Sequence, residues 1–220
     1  MNVLVACEES QRVCIEFRRK GHNAFSCDVQ PCSGGHPEWH IQGDVLPLLN
    51  GYCRFDTMDG MHHELFSKWD MIIAFPPCTY LSNAGACRMY PKKGQIDPER
   101  FAKAMEAKSF FMEFYNADCD CIAIENPAPL SVVALPPKTQ AIQPYEFGHP
   151  FSKKTYLWLK NLPNLKPTNT LTEYKPYVSC RTSANKGNKD KAGFSRAGGA
   201  TKVRSKTFPG IAKAMAEQWG

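Results

Sequence analysis

A thiol and a carboxyl group, each closing a short apolar run, are the residues of this chain best placed for covalent chemistry. The first run is Trp69-Asp70-Met71-Ile72-Ile73-Ala74-Phe75-Pro76-Pro77-Cys78, and the second is Cys121-Ile122-Ala123-Ile124-Glu125-Asn126-Pro127. Each reads as a buried strand running into a rigid turn that carries one reactive side chain. Open α/β sheets place their active sites at the carboxyl ends of strands. A nucleophilic sulfur beside a carboxyl group suits addition to an electron-poor ring and protonation of that ring; cytosine is one such ring.

Each residue also has a plainer reading. Cys78, held by the stiff Pro76-Pro77 pair, can sit at a turn or helix start where backbone N–H groups favour the thiolate. Most cysteines are simply buried in a core. Glu125, if partly buried, would stay protonated and hydrogen-bond a ring nitrogen; standing alone, it reads equally well as a helix cap. Asn126 would fix its orientation and Pro127 would end the strand. His62-His63 with Glu64, and Cys119 with Cys121, lack the spacing of a closed zinc site, and no metal is expected. A zinc deaminase needs Pro-Cys-x-x-Cys, whereas Thr79, Tyr80 and Leu81 follow Pro77-Cys78. Tyr156 and Trp158 read as core.

The elements that must position these residues follow from pattern. Asn2 to Ala6 is β-branched and predicts a first strand; Ser10 to Lys20, stopped by Gly21, predicts a helix. Asn23 to Cys27 reads as a second strand ending at Asp28. A stretch rich in Pro, Gly and His runs from Pro31 to Gln42 before Gly43-Asp44-Val45. Asp70 to Phe75 and Asp120 to Glu125 are apolar enough for central strands. Pro98 to Tyr115 predicts a helix, with Pro98 at its start and Phe101, Met105, Phe110, Met112 and Phe114 as apolar faces. Thr155 to Leu159 predicts a further strand and Pro209 to Trp219 a closing helix. This alternation argues for an α/β fold, a Rossmann-like, mostly parallel sheet with helices on both faces. Asn161 to Ser205 is rich in Pro, Thr, Gly and Lys and has little periodicity. The division expected is a core at 1–160, a reduced basic loop region at 161–205, and a helix returning to the core at 206–220.

A chain of 220 residues with 43% hydrophobic and 22% charged residues can bury a real core, which excludes wholesale disorder. No run is long enough for a membrane span, and no secretory signal precedes the first strand. Ten cysteines without such a signal fit a reducing cytosol, so a cytoplasmic location is expected. The net charge of +6 is carried by one stretch: Lys186, Lys189, Lys191, Arg196, Lys202, Arg204 and Lys206 stand against Asp190 alone. Such a stretch reads as a contact to a phosphate backbone or as a solvated loop.

Taken together, these segments resemble the DNA cytosine-5 methyltransferases. Leu4-Val5-Ala6-Cys7-Glu8-Glu9-Ser10 falls in the place of the first cofactor loop, Phe25-Ser26-Cys27-Asp28 in that of the acidic second-strand end, and Gly43-Asp44-Val45 in the third. Phe75 to Gly85 is similar to the nucleophile loop, and Ile124-Glu125-Asn126-Pro127 to the glutamate motif. Phe147 to Thr155 is similar to the basic motif beyond it, and Arg204 to Ala212 to the last cofactor motif. The resemblance spans nearly the whole chain and is strongest to short, stand-alone members from bacteriophage and prophage genomes.

It implies a class I methyltransferase fold, S-adenosylmethionine as methyl donor, and DNA as partner. Catalysis would fall to Cys78, attacking carbon 6 of cytosine, with Glu125 at N3 and Lys153 near the base. Ala6, Cys7, Glu8, Ser10, Asp28, Val29, Asp44, Pro76 and Phe208 would line the cofactor, Asp28 on the ribose hydroxyls and Asp44 on the adenine amino group. Ser82, Asn126, Lys186, Lys189, Lys191 and Arg204 would meet substrate or DNA, with the target base flipped out of the stack.

The departures from the family pattern are specific. Cys7-Glu8-Glu9-Ser10-Gln11 replaces the usual glycine-rich first loop. Two acids there suit a cationic sulfonium and amino group, or point to a different cofactor. Thr79 stands where glutamine is common, and Phe151 and Thr155 replace two polar members of the basic motif. The large target-recognition region is reduced to Asn161–Lys202. Low sequence specificity, a specificity partner, or a free cytosine nucleotide or RNA as substrate would follow. A non-catalytic decoy that binds DNA or a host protein is the reading from a different class.

Overall fold

The structure, a computed structural model, describes residues 1–177 and 205–220. In chain order its elements begin with β1 (Asn2–Ala6), α1 (Arg12–Arg19), β2 (Asn23–Asp28) and β3 (His40–Gln42). A hairpin of β4 (Arg54–Asp56) and β5 (His62–Glu64) follows, then β6 (Met71–Ala74), α2 (Ala86–Met89) and α3 (Pro98–Tyr115). The remainder is β7 (Cys121–Pro127), β8 (Gln140–Ile142), β9 (Phe151–Ser152), β10 (Thr155–Lys160), β11 (Lys175–Pro176) and a closing helix, Pro209–Trp219.

Seven strands form one sheet in the order β3-β2-β1-β6-β7-β10-β8. All pairs are parallel except those of β10, which runs antiparallel to both β7 and β8. Successive side chains on a strand point to opposite faces, and both faces are covered. Val3, Val5, Met71, Ile73, Ala123 and Leu157 pack with Val13 and Phe17 of α1 and with Ile211, Met215 and Trp219 of the closing helix. Leu4, Ala6, Ile72, Ala74, Ile122, Ile124 and Trp158 pack on the other side with Ala104, Phe111 and Phe114 of α3. Burial on two sides is why these strands read as unbroken apolar runs. The fold is therefore the Rossmann-like, mostly parallel α/β sheet expected, with helices on both faces.

Local sequence explains the helix limits. Asp97 caps α3 by accepting from the Arg100 amide at 2.8 Å, and Pro98 occupies the first turn. Helix α1 is shorter than its pattern predicts, because Gln11 is left-handed (φ 57°) and the helix cannot start before it. Strand and helix also alternate less regularly than expected. The β2–β3 crossover holds only a short 3-10 turn, since Pro31, Gly34, Gly35 and Pro37 break any helical period, and the β4–β5 hairpin follows β3.

Residues 161–177 pack onto the core instead of standing apart. Leu165 and Tyr177 are buried with the closing-helix cluster, and Gln140 exchanges hydrogen bonds with the Leu165 backbone at 2.7 and 2.8 Å. The closing helix is seated through Gly210, whose amide donates to His149 Nε2 at 2.9 Å. A Cβ there would lie 2.1 Å from the Phe147 carbonyl oxygen. Gly210→Ala gains about 1 kcal/mol of helix propensity, but a clash with backbone costs about 1–3 kcal/mol. A net loss of stability is expected in urea unfolding, where a helical glycine on an open surface would give a gain.

Candidate active site

The sheet reverses its strand order between β1 and β6, and such a switch point opens a crevice at the carboxyl ends of the strands. Strands β6 and β7 are parallel neighbours with Ala74 opposite Ile124, so the chain leaves β6 as Phe75–Cys78 while Glu125 and Asn126 continue β7 past that point, still paired with Leu157 and Tyr156 of β10. The two loops are then fastened together. Asn126 Nδ2 donates to the Pro76 carbonyl at 3.1 Å; the Asn83 amide donates to Ala128 and the Leu130 amide to Leu81, both at 2.8 Å. Cys78 is half-buried and opens a turn, its carbonyl accepting from the Ser82 amide at 2.9 Å.

Arg100 buttresses this loop from α3. Its Nη2 donates to the Thr79 carbonyl at 3.0 Å and its guanidinium lies 5.0 Å from the Tyr80 ring centroid. Ser82, expected on the DNA side, is only 6% exposed and bridges to Pro129. It joins the two loops instead of facing open solvent.

Glu125 opens on a pocket of about 20 Å³ lined by Lys153, Thr155, Ser205, Thr207, Phe208 and Met215 among others. That is room for roughly one water molecule. The Glu125 Oε1 and Asn126 Oδ1 atoms are both buried with no hydrogen-bond partner. Burial pushes the Glu125 carboxyl above the usual carboxylate range; the Lys153 ammonium and the Thr155 hydroxyl oppose that shift without cancelling it. A carboxyl held toward its neutral form can donate a hydrogen bond to a ring nitrogen. The structure thus gathers Glu125, Lys153 and Phe208 about one pocket, and Cys78 on the adjoining loop. Thr155 and Thr207 border the same pocket and were missed. Both had a signal, Thr155 its place in the alternation with Lys153 and Thr207 its place beside Phe208 in the segment similar to the last cofactor motif.

The first loop departs most from expectation. Cys7, at the end of β1, takes the left-handed conformation (φ 59°) that glycine adopts most easily. Burial raises its thiol pKa, and Asp28, Cys27 and Asp44 add to the effect, so the two acids lie close by. Val29, beside Asp28 at the end of β2, is 72% exposed. Ala6, Ser10 and Pro76 are buried.

Glu8 turns inward. Its carboxylate accepts from the Val13 and Cys14 amides at 2.7 and 3.2 Å, capping α1, so its side chain faces the helix and not the crevice. Gln11, also missed, is fully buried and clamps the loop after β2: Nε2 donates to the His36 carbonyl at 2.8 Å and Oε1 accepts the His36 amide at 3.1 Å. Lys186, Lys189, Lys191 and Arg204 lie outside the described residues.

Burial raises the Glu8 pKa from 4.5 to about 7, the capped amides opposing. An acid whose folded pKa is raised contributes stability that is present below its unfolded pKa and lost as pH rises through the folded one. Unfolding free energy should therefore fall by roughly 3 kcal/mol between pH 4.5 and well above pH 7 on account of this group. Urea titrations across that window on the native chain and on Glu8→Gln check it, since the variant should lack this component.

No family model and no curated protein matches the chain. Among solved structures it is similar to one described as a DNA modification methyltransferase encoded within a prophage (E. coli). The likeness has a TM-score of 0.40 and 14% identity, over 72% of this chain and 46% of the other. The chain thus spans under half the length of that protein. No helix among the described residues is long and apolar enough to cross a membrane.

Proposed function

We propose that this chain transfers a methyl group from S-adenosylmethionine to carbon 5 of cytosine in DNA. The observation that carries the reading is the pairing of two adjacent strands, one leading to Cys78 and the other carrying a half-buried Glu125 whose shielded carboxyl is biased toward its neutral form. The Cys78 thiolate would add to carbon 6, and Glu125 would give its proton to N3, so that the ring's electron pair gathers at carbon 5. When bound, S-adenosylmethionine supplies an electrophilic methyl on a sulfonium. Loss of the carbon 5 proton to a base, solvent water included, then expels the Cys78 sulfur as thiolate, and the N3 proton returns to Glu125. Lys153, beside Glu125 in the same pocket, would orient the base and balance charge.

The crevice residues fit such a donor. Asp28 and Asp44 stand at the ends of neighbouring strands β2 and β3, where ribose hydroxyls and an adenine amino group would be held. The exposed Val29 offers an apolar face for the adenine ring. We assign the core to residues 1–160 and the closing helix, with the basic stretch as the grip on phosphates.

A second reading keeps the chemistry and makes the substrate a free cytosine nucleotide or RNA. It rests on the packing of residues 161–177 against the core, which leaves only 178–204 between core and closing segment for reading a target. Incubation with labelled donor and dCMP, single strands or duplex, followed by nucleoside mass analysis, tests both. 5-Methylcytosine in duplex DNA supports the first reading; turnover of dCMP alone replaces it with the second; no methylated cytosine in any substrate defeats both.

A further inference from the structure

One buried acid is left over by this account. Glu9, 7% exposed, follows the β1 strand end and is not a cap like Glu8. Its Oε2 accepts from the Ser33 hydroxyl, while its Oε1 is sealed from solvent with no hydrogen-bond partner. Lys206 forms an ion pair with it, Nζ standing 3.7 Å from Oε1, beyond hydrogen-bond length, and its hydrogen bond goes instead to Ser33 Oγ at 2.7 Å. The Ser33 amide donates to the Glu9 carbonyl at 2.7 Å, so the acid, the hydroxyl and the ammonium form one fixed group. A buried carboxylate oxygen without a donor is costly unless something binds it.

The place of this group in the fold says what that ligand is. Glu9 belongs to the loop at the sheet's switch point, two residues after Cys7, whose thiol feels Asp28 and Asp44. Lys206 sits between Ser205 and Thr207, both of which line the Glu125 pocket. The pair therefore links the loop at the switch-point crevice to the segment that lines the Glu125 pocket. Arg12 holds the approach of this segment, its Nη1 donating to the Thr207 carbonyl at 2.5 Å. An anion and a cation paired at 3.7 Å with no hydrogen bond between them match the two ends of an α-amino acid.

Resting on the methyl-donor reading above, we propose that Glu9 and Lys206, braced by Ser33, recognise the α-amino-acid end of the donor. The ligand ammonium binds Glu9 Oε1 and its carboxylate binds the Lys206 ammonium. In this chain, side-chain charges do the work that a glycine-rich loop leaves to backbone groups. A zwitterion between the two satisfies the orphaned oxygen and keeps both protein charges paired.

Calorimetry with three probes tests this without any turnover. S-Adenosylhomocysteine carries the nucleoside and the zwitterion, 5′-methylthioadenosine carries only the nucleoside, and methionine only the amino acid. The native chain should bind S-adenosylhomocysteine more tightly than methylthioadenosine, and methionine weakly or not at all. In Glu9→Gln and in Lys206→Met that preference should shrink by about 10- to 100-fold, the range for losing one charged hydrogen bond. Methylthioadenosine binding should be unchanged in both variants, which also shows that they fold.

An unaltered preference in the variants would overturn the proposal while leaving the donor reading intact. Tighter binding of S-adenosylhomocysteine by Lys206→Met would overturn the role given to the lysine and make it a competitor. Methionine binding as tight as that of S-adenosylhomocysteine would reassign the site to a free amino acid. Failure of the native chain to bind either nucleoside would remove the donor reading itself, and the proposal with it.

Discussion

Cys78→Ser should lower methyl transfer to cytosine by about 10⁴-fold or more while leaving affinity for the donor unchanged. The oxygen nucleophile is nearly isosteric with sulfur, so the turn that presents it should survive. That turn is held by backbone bonds, from the Ser82 and Leu81 amides to the residue 78 carbonyl at 2.9 and 3.2 Å, and by the Arg100 bond to Thr79. What changes is the fraction ionised near neutral pH. A thiol has a thiolate population there and a serine hydroxyl has essentially none. The prediction is read in two measurements, incorporation of labelled methyl into cytosine and calorimetric donor binding. Loss of both would mean that the turn collapsed, and retention of both would remove Cys78 from its assigned role.

The residues around this turn show what a sequence can and cannot disclose. Strands β6 and β7, helix α3 and the closing helix were legible because each carries its own local signal: apolar runs buried on two faces, a capping Asp97 with Pro98, or Pro209 at a helix start. From these the sheet, and the adjacency of the strands that lead to Cys78 and Glu125, could be argued. The links that set the site are different in kind. Asn126 meets the Pro76 carbonyl across 50 residues of sequence, and Gln11 meets His36 across 25. Neither contact has a periodic signature, because it exists only after the strands are ordered.

The same holds for the direction of a charged side chain. Glu8 and Glu9 are adjacent and chemically alike, yet one caps its own helix and the other faces Ser33 and Lys206. Gln11 decides between them, since its left-handed backbone sets where α1 begins and hence which acid lies over the free amides. In residues 161–177, Leu165 and Tyr177 are single apolar residues separated by Pro, Thr and Lys. Their burial follows from a core surface supplied by Phe147, Phe151 and Phe208, not from any pattern of their own.

Glu125→Gln should separate catalysis from folding, moving them in opposite directions. Activity should fall about 10²–10⁴-fold, because an amide can hydrogen-bond N3 but cannot give it a proton. Stability should respond with a defined sign. The native carboxyl has a folded pKa above its ordinary value, chiefly through burial, so it stabilises the fold only while protonated, and that contribution is lost as pH rises through the folded pKa. Glutamine is neutral throughout. Below the ordinary carboxyl pKa the two proteins should therefore unfold at the same urea concentration, and above the raised pKa the variant should be the more stable. The gap should widen with pH and then level off. A difference that does not vary with pH would mean that Glu125 ionises normally where it stands, and the chemistry assigned to the pocket it shares with Lys153 would have to be given to another group. Growth of the gap alongside loss of activity would show that the fold gives up stability to hold an acid where the base is to be protonated.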